Sequence, residues 1–178
     1  MIGAAPRWSG TVRLARADEL NALAIIESDA NATLVDAGAV SPDSFTTTPR
    51  HLLELSLSAA LLFTAVDAND EPVGFLACKE RDGGLYVGEI DVLRRWQRQG
   101  IGRALMLTAL AEARSRRLWG AMLTTDRFVP FNALFYASLG FREIARENLP
   151  PSLEAVIVAE VAGGQDPARR VGMALRFA

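Results

Sequence analysis

Three short stretches carry residues able to do chemistry. In Gln97-Arg98-Gln99-Gly100-Ile101-Gly102-Arg103 a strand-like run turns into a helix-like one through two glycines. Such a turn leaves backbone N–H groups unpaired and pointing the same way, and the helix dipole adds partial positive charge. The glycines let a bulky anion approach the main chain while Gln97, Arg98, Gln99 and Arg103 surround it with donors, so a pyrophosphate fits. A glycine-containing turn with solvated arginines is the bland alternative. Just upstream, Glu89 and Asp91 lie two apart on a strand-like run, hence on one face, where a carboxylate could act as a general base. A solvated strand face, or ion pairs with nearby arginines, is the competing account of that pair. Downstream, Asn132 and Tyr136 lie four apart on a short helix-like run and could address one site. Tyr136 could equally be a core aromatic beside Phe131, Phe135 and Phe141.

The elements that would position these groups follow from periodicity. "GTVRLARADELNALAIIESDANA" reads as a strand switching to a helix, with Asp18 as N-cap. Asn31 to Pro49 reads as a long irregular stretch and "RHLLELSLS" as a short helix. Three strand-like runs broken by "DAND" and "RDGG" predict an antiparallel meander. "RALMLTALAEARSRRL" predicts a helix with Ile101, Ala104, Leu107, Thr108, Ala111 and Leu118 on one side and arginines in its last turns. A strand at "WGAMLTT", a short helix at "PFNALFYASLG", a strand at "FREIA" and a last strand at "RVGMALRF" complete the order. This is an α+β chain, and with no repeat or linker to divide it, residues 1–178 are expected to form a single domain.

Composition bounds the function. At 178 residues, 50% hydrophobic and 22% charged, the chain is of ordinary globular type. A formal charge of -2 and a pI near 5.5 argue against nucleic-acid or membrane-surface partners. One cysteine and one histidine provide neither an internal disulfide nor a metal-ligand cluster, so no metal is expected. The opening lacks the apolar run of a signal peptide, and nowhere does an apolar run approach the ~20 residues of a membrane span, which predicts a cytoplasmic protein. The missing P-loop lysine, and Leu105 where a third glycine of G-x-G-x-x-G would stand, disfavour nucleotide hydrolysis and hydride transfer.

At this point the chain resembles the GCN5-related N-acetyltransferase (GNAT) superfamily, whose signature [Q/R]-x-x-G-x-[G/A] stands here as Gln97 to Gly102. "EIDVLRRWQRQGIG" is similar to the family's strand-plus-approach segment and "FNALFYASLGF" to its "N…FY..LGF" segment. The resemblance implies a mixed, mostly antiparallel central sheet, splayed between the fourth and fifth strands and flanked by about four helices. It also implies acetyl coenzyme A as cosubstrate, with the pyrophosphate at Gln97, Arg98, Gln99, Gly100, Ile101, Gly102 and Arg103. The pantetheine arm would lie along Val92, Leu93 and Arg94, and a main-chain N–H near Val92 or Leu93 would face the thioester oxygen. The implied activity is direct acetyl transfer to an amine in a ternary complex. Glu89 is the first choice as base, acting directly or through a water, and Asp91 the second. Tyr136 would protonate the leaving thiolate, its phenol pKa of ~10 being suited to that task. Asn132 would hydrogen-bond the coenzyme; where many members place that asparagine, this chain has Val129.

The same resemblance admits a non-catalytic acyl-coenzyme A sensor or scaffold, against which the joint presence of Glu89, Asp91 and Tyr136 argues. The family's habit of dimerising leaves a homodimer open. Cys78, beside no histidine on a half-buried strand, is a poor nucleophile, and His51 reads as a surface or capping residue. Glu27 with Asp29 or Asp36 could bind a cationic acceptor, although solvated acids are the simpler account. No motif identifies the acceptor, which fold resemblance does not choose.

Overall fold

The computed structural model of the protein describes residues 8–36, 38, 47–129 and 131–178. β1 (Thr11–Leu14) leads through a 3-10 turn into α1 (Leu20–Asp36), and α2 (Arg50–Ser58) precedes β2 (Leu62–Val66), β3 (Pro72–Arg81) and β4 (Gly84–Val92). Then come α3 (Ile101–Ser115), β5 (Gly120–Asp126), α4 (Ala133–Ser138), β6 (Arg142–Glu143), α5 (Pro151–Ala162) and β7 (Arg170–Arg176). The seven strands form one sheet in the order β1-β2-β3-β4-β5-β7-β6. Its neighbours are antiparallel except β4 and β5, which run parallel. Among the described residues no helix is long and apolar enough to cross a membrane.

The meander forms where the turn residues predict it. Asp82 and Gly83 both take positive φ (50° and 71°), which matches the twist of the β3–β4 hairpin. β4 and β5 pair only at Leu85↔Ala121 and Tyr86↔Met122, then diverge, which is the expected splay. One apolar core lies between the sheet and α3, uniting Leu76, Cys78, Leu85 and Val87 with Leu105, Met106 and Ala109. On the other face α1 and α2 bury Leu23, Ile26 and Leu53 against Leu62, Phe75 and Ala77. A third cluster on that second face seats α5 through Leu153 on Tyr86 and Met122.

Four expectations are corrected. α1 continues to Asp36, so the irregular stretch starts later than Asn31; residues 37 and 39–46 of it lie outside the described residues. Asp18 does not cap α1: the N–H of Arg16 donates to Glu19 Oε2 at 2.8 Å, and Arg13 grips the same carboxylate at 2.6 Å. A glutamate reaching back across the first turn does that work better than the shorter aspartate. The buried stripe of α3 is Ile101, Leu105, Met106, Ala109, Leu110 and Ala113, with Leu107 about half exposed. In a helix apolar nearly all round, periodicity leaves the face open and the sheet chooses it. Finally, the segment before β7 is helical, giving five α-helices: Pro150 and Pro151 open α5 in the position where a missing N–H costs nothing.

Candidate functional site

β4 carries the decisive irregularity. Ala77 pairs with Glu89 and Cys78 with Val87, so Gly88 is an extra residue bulged out of the ladder. Strict alternation would send Leu85, Val87, Glu89 and Asp91 to one face, against α3. The bulge shifts the phase, so Leu85, Val87, Ile90 and Val92 join the α3 core. Glu89 and Asp91 stand instead beside Ala77 and Phe75 on the α1 face. The carboxylates thereby reach a cleft of about 1630 Å³ that passes through the gap between β4 and β5.

Three carboxylates converge in that cleft. Oxygens of Glu27, Glu89 and Asp91 all lie within 4.8 Å of one another. Glu27 sits on α1, four residues after Leu23 and among the buried positions of that helix, and is itself 2% exposed. Its Oε1 accepts from the Thr48 N–H at 2.7 Å and the Thr48 hydroxyl at 2.9 Å. Its Oε2 and the Oδ2 of Asp91 are buried without a partner among the described residues. Burial and then the charge of Glu27 push the Glu89 carboxyl up to about 7. Burial, Glu89 and Glu27 together raise Asp91 well above the usual carboxylate range. Burial also raises Glu27, an effect opposed by its bonds from Thr48. At neutral pH this group holds protons that solvated acids would release. The solvated-acid account therefore fails for Glu27, whose sequence signal was an acid standing in an otherwise apolar helix stripe.

The glycine turn read as an anion cradle lies at the other end of the cleft. Arg98 (φ 60°) and Gly100 (φ 88°) take left-handed conformations before α3, turning successive amides toward the cleft. Gln97, Arg98, Gly100, Ile101, Gly102 and Arg103 all line it. A Cβ at Gly102 would meet the Phe135 ring at 3.6 Å and Ile90 Cδ1 at 4.0 Å, both ordinary contacts. Gln97 also ties the turn to its strand, donating to the Val92 carbonyl at 3.0 Å. Gln99 points elsewhere, its Oε1 accepting from the Trp8 N–H at 2.8 Å.

The strand-end positions separate in the same manner. Leu93 donates its N–H to the Val73 carbonyl at 2.9 Å, which commits it to β3. With Gly74 opposite Val92 in that register, the N–H of Val92 turns away from β3 toward the gap. Arg94 is tied to α1: its N–H donates to Asp29 at 2.7 Å and its guanidinium pairs with Asp36 at 2.6 Å. Thus Asp29 and Asp36 are partnered to Arg94 and brace the strand end, while Val92, not Leu93 or Arg94, lines the cleft.

Asn132 and Tyr136 both line the cleft from α4, with Asn132 at its N-cap rather than within it. Tyr136 belongs to the α3-side core, with its ring 5.1 Å from that of Phe135 and 6.0 Å from that of Phe141. The core and cleft accounts therefore hold together: the ring is packed on one side and faces the gap on another. Burial and then the charges of Glu89 and Asp91 push its phenol above its usual range, so it is a protonated donor at neutral pH. Cys78 is fully buried and raised by that burial, while His51 is exposed on α2.

The arrangement brings the glycine turn before α3, the Glu89 and Asp91 carboxyls and the Tyr136 phenol along one passage through the sheet. The fold is similar to the ribosomal-protein-S18-alanine N-acetyltransferase from Escherichia coli, with TM-score 0.69 and 20% identity over 95% of this chain and 94% of that one. It is also similar to the PaiA N-acetyltransferase from Thermoplasma acidophilum in complex with coenzyme A, with TM-score 0.72 and 15% identity over 95% and 99%. A GNAT family acetyltransferase from Brucella melitensis in complex with acetyl-CoA gives TM-score 0.61 and 17% identity over 95% and 88%. Residues 29–141, more than half of the chain, match the model of the acetyltransferase (GNAT) family. The chain belongs to the GNAT acetyltransferase family.

Proposed function

We propose that the chain transfers the acetyl group of acetyl coenzyme A directly to an amine. The observation that carries this is the passage between β4 and β5, with the Arg98-to-Arg103 turn at one end and Glu89, Asp91 and Tyr136 along it. The cosubstrate complexes of fold relatives support the donor. The amine loses a proton to Glu89, which titrates about where a base working near neutral pH should. Asp91, held more firmly protonated, supports Glu89 rather than replacing it. The amine nitrogen attacks the thioester carbon, and the new C–N bond forms as negative charge moves to the carbonyl oxygen, stabilised by the Val92 N–H. The C–S bond then breaks, the departing thiolate takes the proton of Tyr136, and the second proton of the newly acylated nitrogen passes to that phenolate, leaving a neutral amide and restoring the phenol.

Calorimetric titration with acetyl coenzyme A tests the donor site, comparing the wild type with Gly102→Glu. Gly102 is preferable to Gly100, whose φ of 88° would add strain of its own. Saturable binding lost in a folded Gly102→Glu variant, followed by amine-dependent thiol release by the wild type, is expected. A wild type that binds no acetyl coenzyme A would overturn the proposal. Binding without thiol release across an amine panel would leave only an acyl-coenzyme A binder.

A further inference from the structure

The cleft charges are not balanced at the α1 end. Arg169 pairs with Asp126 at 2.7 Å, and Arg170 grips Glu160 through two nitrogens at 2.6 and 2.9 Å. Arg94 is taken by Asp36, Arg98 belongs to the turn before α3 and Arg103 to the first turn of that helix. Among the described residues, Arg170 reaches Glu89 only by its more distant field, so no described cation closes the carboxylate group. Glu27, 98% removed from solvent and held at Oε1 by Thr48, brings a carboxylate oxygen within 4.8 Å of Glu89 and Asp91, and its Oε2 is buried without a donor among the described residues. A buried carboxyl oxygen without a donor has lost its water and gained nothing in return, so a ligand supplying N–H donors relieves it.

We infer that Glu27, Glu89 and Asp91 form a cradle for a protonated primary aliphatic amine. A primary ammonium carries three N–H donors, and each of the three acids, protonated or ionised, keeps an oxygen able to accept, all within 4.8 Å of one another. Glu27 acts as the specificity residue: it touches the incoming cation, whereas Glu89 takes its proton. Neutral acceptors such as arylamines leave Glu27 unsatisfied, and quaternary ammoniums bring charge without donors. This assignment rests on the acetyl-transfer proposal for the identity of the incoming group, but its test does not need turnover.

The test is titration of the full chain, saturated with coenzyme A, by n-butylammonium and by N,N,N-trimethylbutylammonium, which has the same charge and no N–H. The wild type should bind the primary ammonium about tenfold or more tightly, the worth of a charge-assisted hydrogen bond. Glu27→Gln keeps an oxygen for Thr48 and so should fold, but it should collapse that ratio by about tenfold. Thr48→Val, which retains the charge and loosens its aim, should show a smaller loss. Equal binding of the two probes by the wild type, no saturable binding of either, or an unchanged ratio in Glu27→Gln would overturn the assignment. So would Mg2+ displacing n-butylammonium at lower concentration than the amine itself needs, since the cradle would then be a metal site. A preference for the primary ammonium without thiol release from acetyl coenzyme A would sink the acetyl-transfer proposal and leave the cradle standing.

Discussion

Glu89 is where burial, like charge and chemistry meet. If it is the base, only its ionised form works, so kcat/KM should rise with pH through about 7 and level off above it. Glu89→Gln should lower kcat by about 10²–10⁴-fold and abolish that rise, read from initial rates across pH. A pH profile unchanged in Glu89→Gln would move the base elsewhere, with Asp91 first in line. The same carboxyl ties stability to pH. Its folded pKa of about 7 lies above its usual 4.5, so between those values the folded chain binds more protons than the unfolded one. Stability therefore falls as pH rises through that window. Glu89→Gln should raise Tm at pH 8, and the gain should disappear near pH 4.5; thermal melts at the two pH values check it. Tyr136→Phe removes only a hydroxyl at the edge of a packed ring, so Tm should hold while kcat falls, because the leaving thiolate loses its proton source.

At the scale of elements, the turn into α3 separates two glycines that look alike in the sequence. Gly100 has φ 88° with open space around its missing Cβ, whereas Gly102 is helical with Phe135 3.6 Å away. Gly100→Ala should cost about 1 kcal/mol through backbone strain alone, and Gly102→Ala should be neutral or stabilising by a few tenths. Denaturant titration of the two variants distinguishes them, and equal losses would contradict the positive-φ geometry. The turn itself was legible, because two glycines stand where a strand-like run changes to a helix-like one. The phase of β4 was not: Glu89 and Asp91 predictably share a face, but the choice of face depends on where Gly88 is absorbed against Ala77 and Cys78. α5 was hidden for a related reason, since "PPSLEAVIVAEVA" opens with two prolines and is apolar on nearly every side, leaving no period to read.

For the molecule as a whole, the gap between β4 and β5 is a break in the ladder that a bound cosubstrate would bridge. The Val92 amide faces that gap and should exchange with solvent readily in the free chain, then slow markedly with acetyl coenzyme A, as read by hydrogen exchange. Ligand at 100 times its Kd should add about 2.7 kcal/mol of stability, seen as a rise in Tm. An exchange rate at Val92 indifferent to acetyl coenzyme A would count against a donor lying along β4.

The sequence by itself determined the α+β order apart from α5, the β2–β4 meander, the glycine turn and the identity of the acids and phenol, because these follow from local periodicity and turn chemistry. Only the tertiary structure decided that Glu27 joins Glu89 and Asp91, that Leu93 and Arg94 are committed elsewhere, and that Tyr136 is packed yet faces the passage. Each of those depends on contacts between residues distant in the chain: Glu27 meets β4 because α1 packs on the face to which the Gly88 bulge turns the two acids. Burial and charge then couple the three groups, and no spacing along the sequence encodes that coupling.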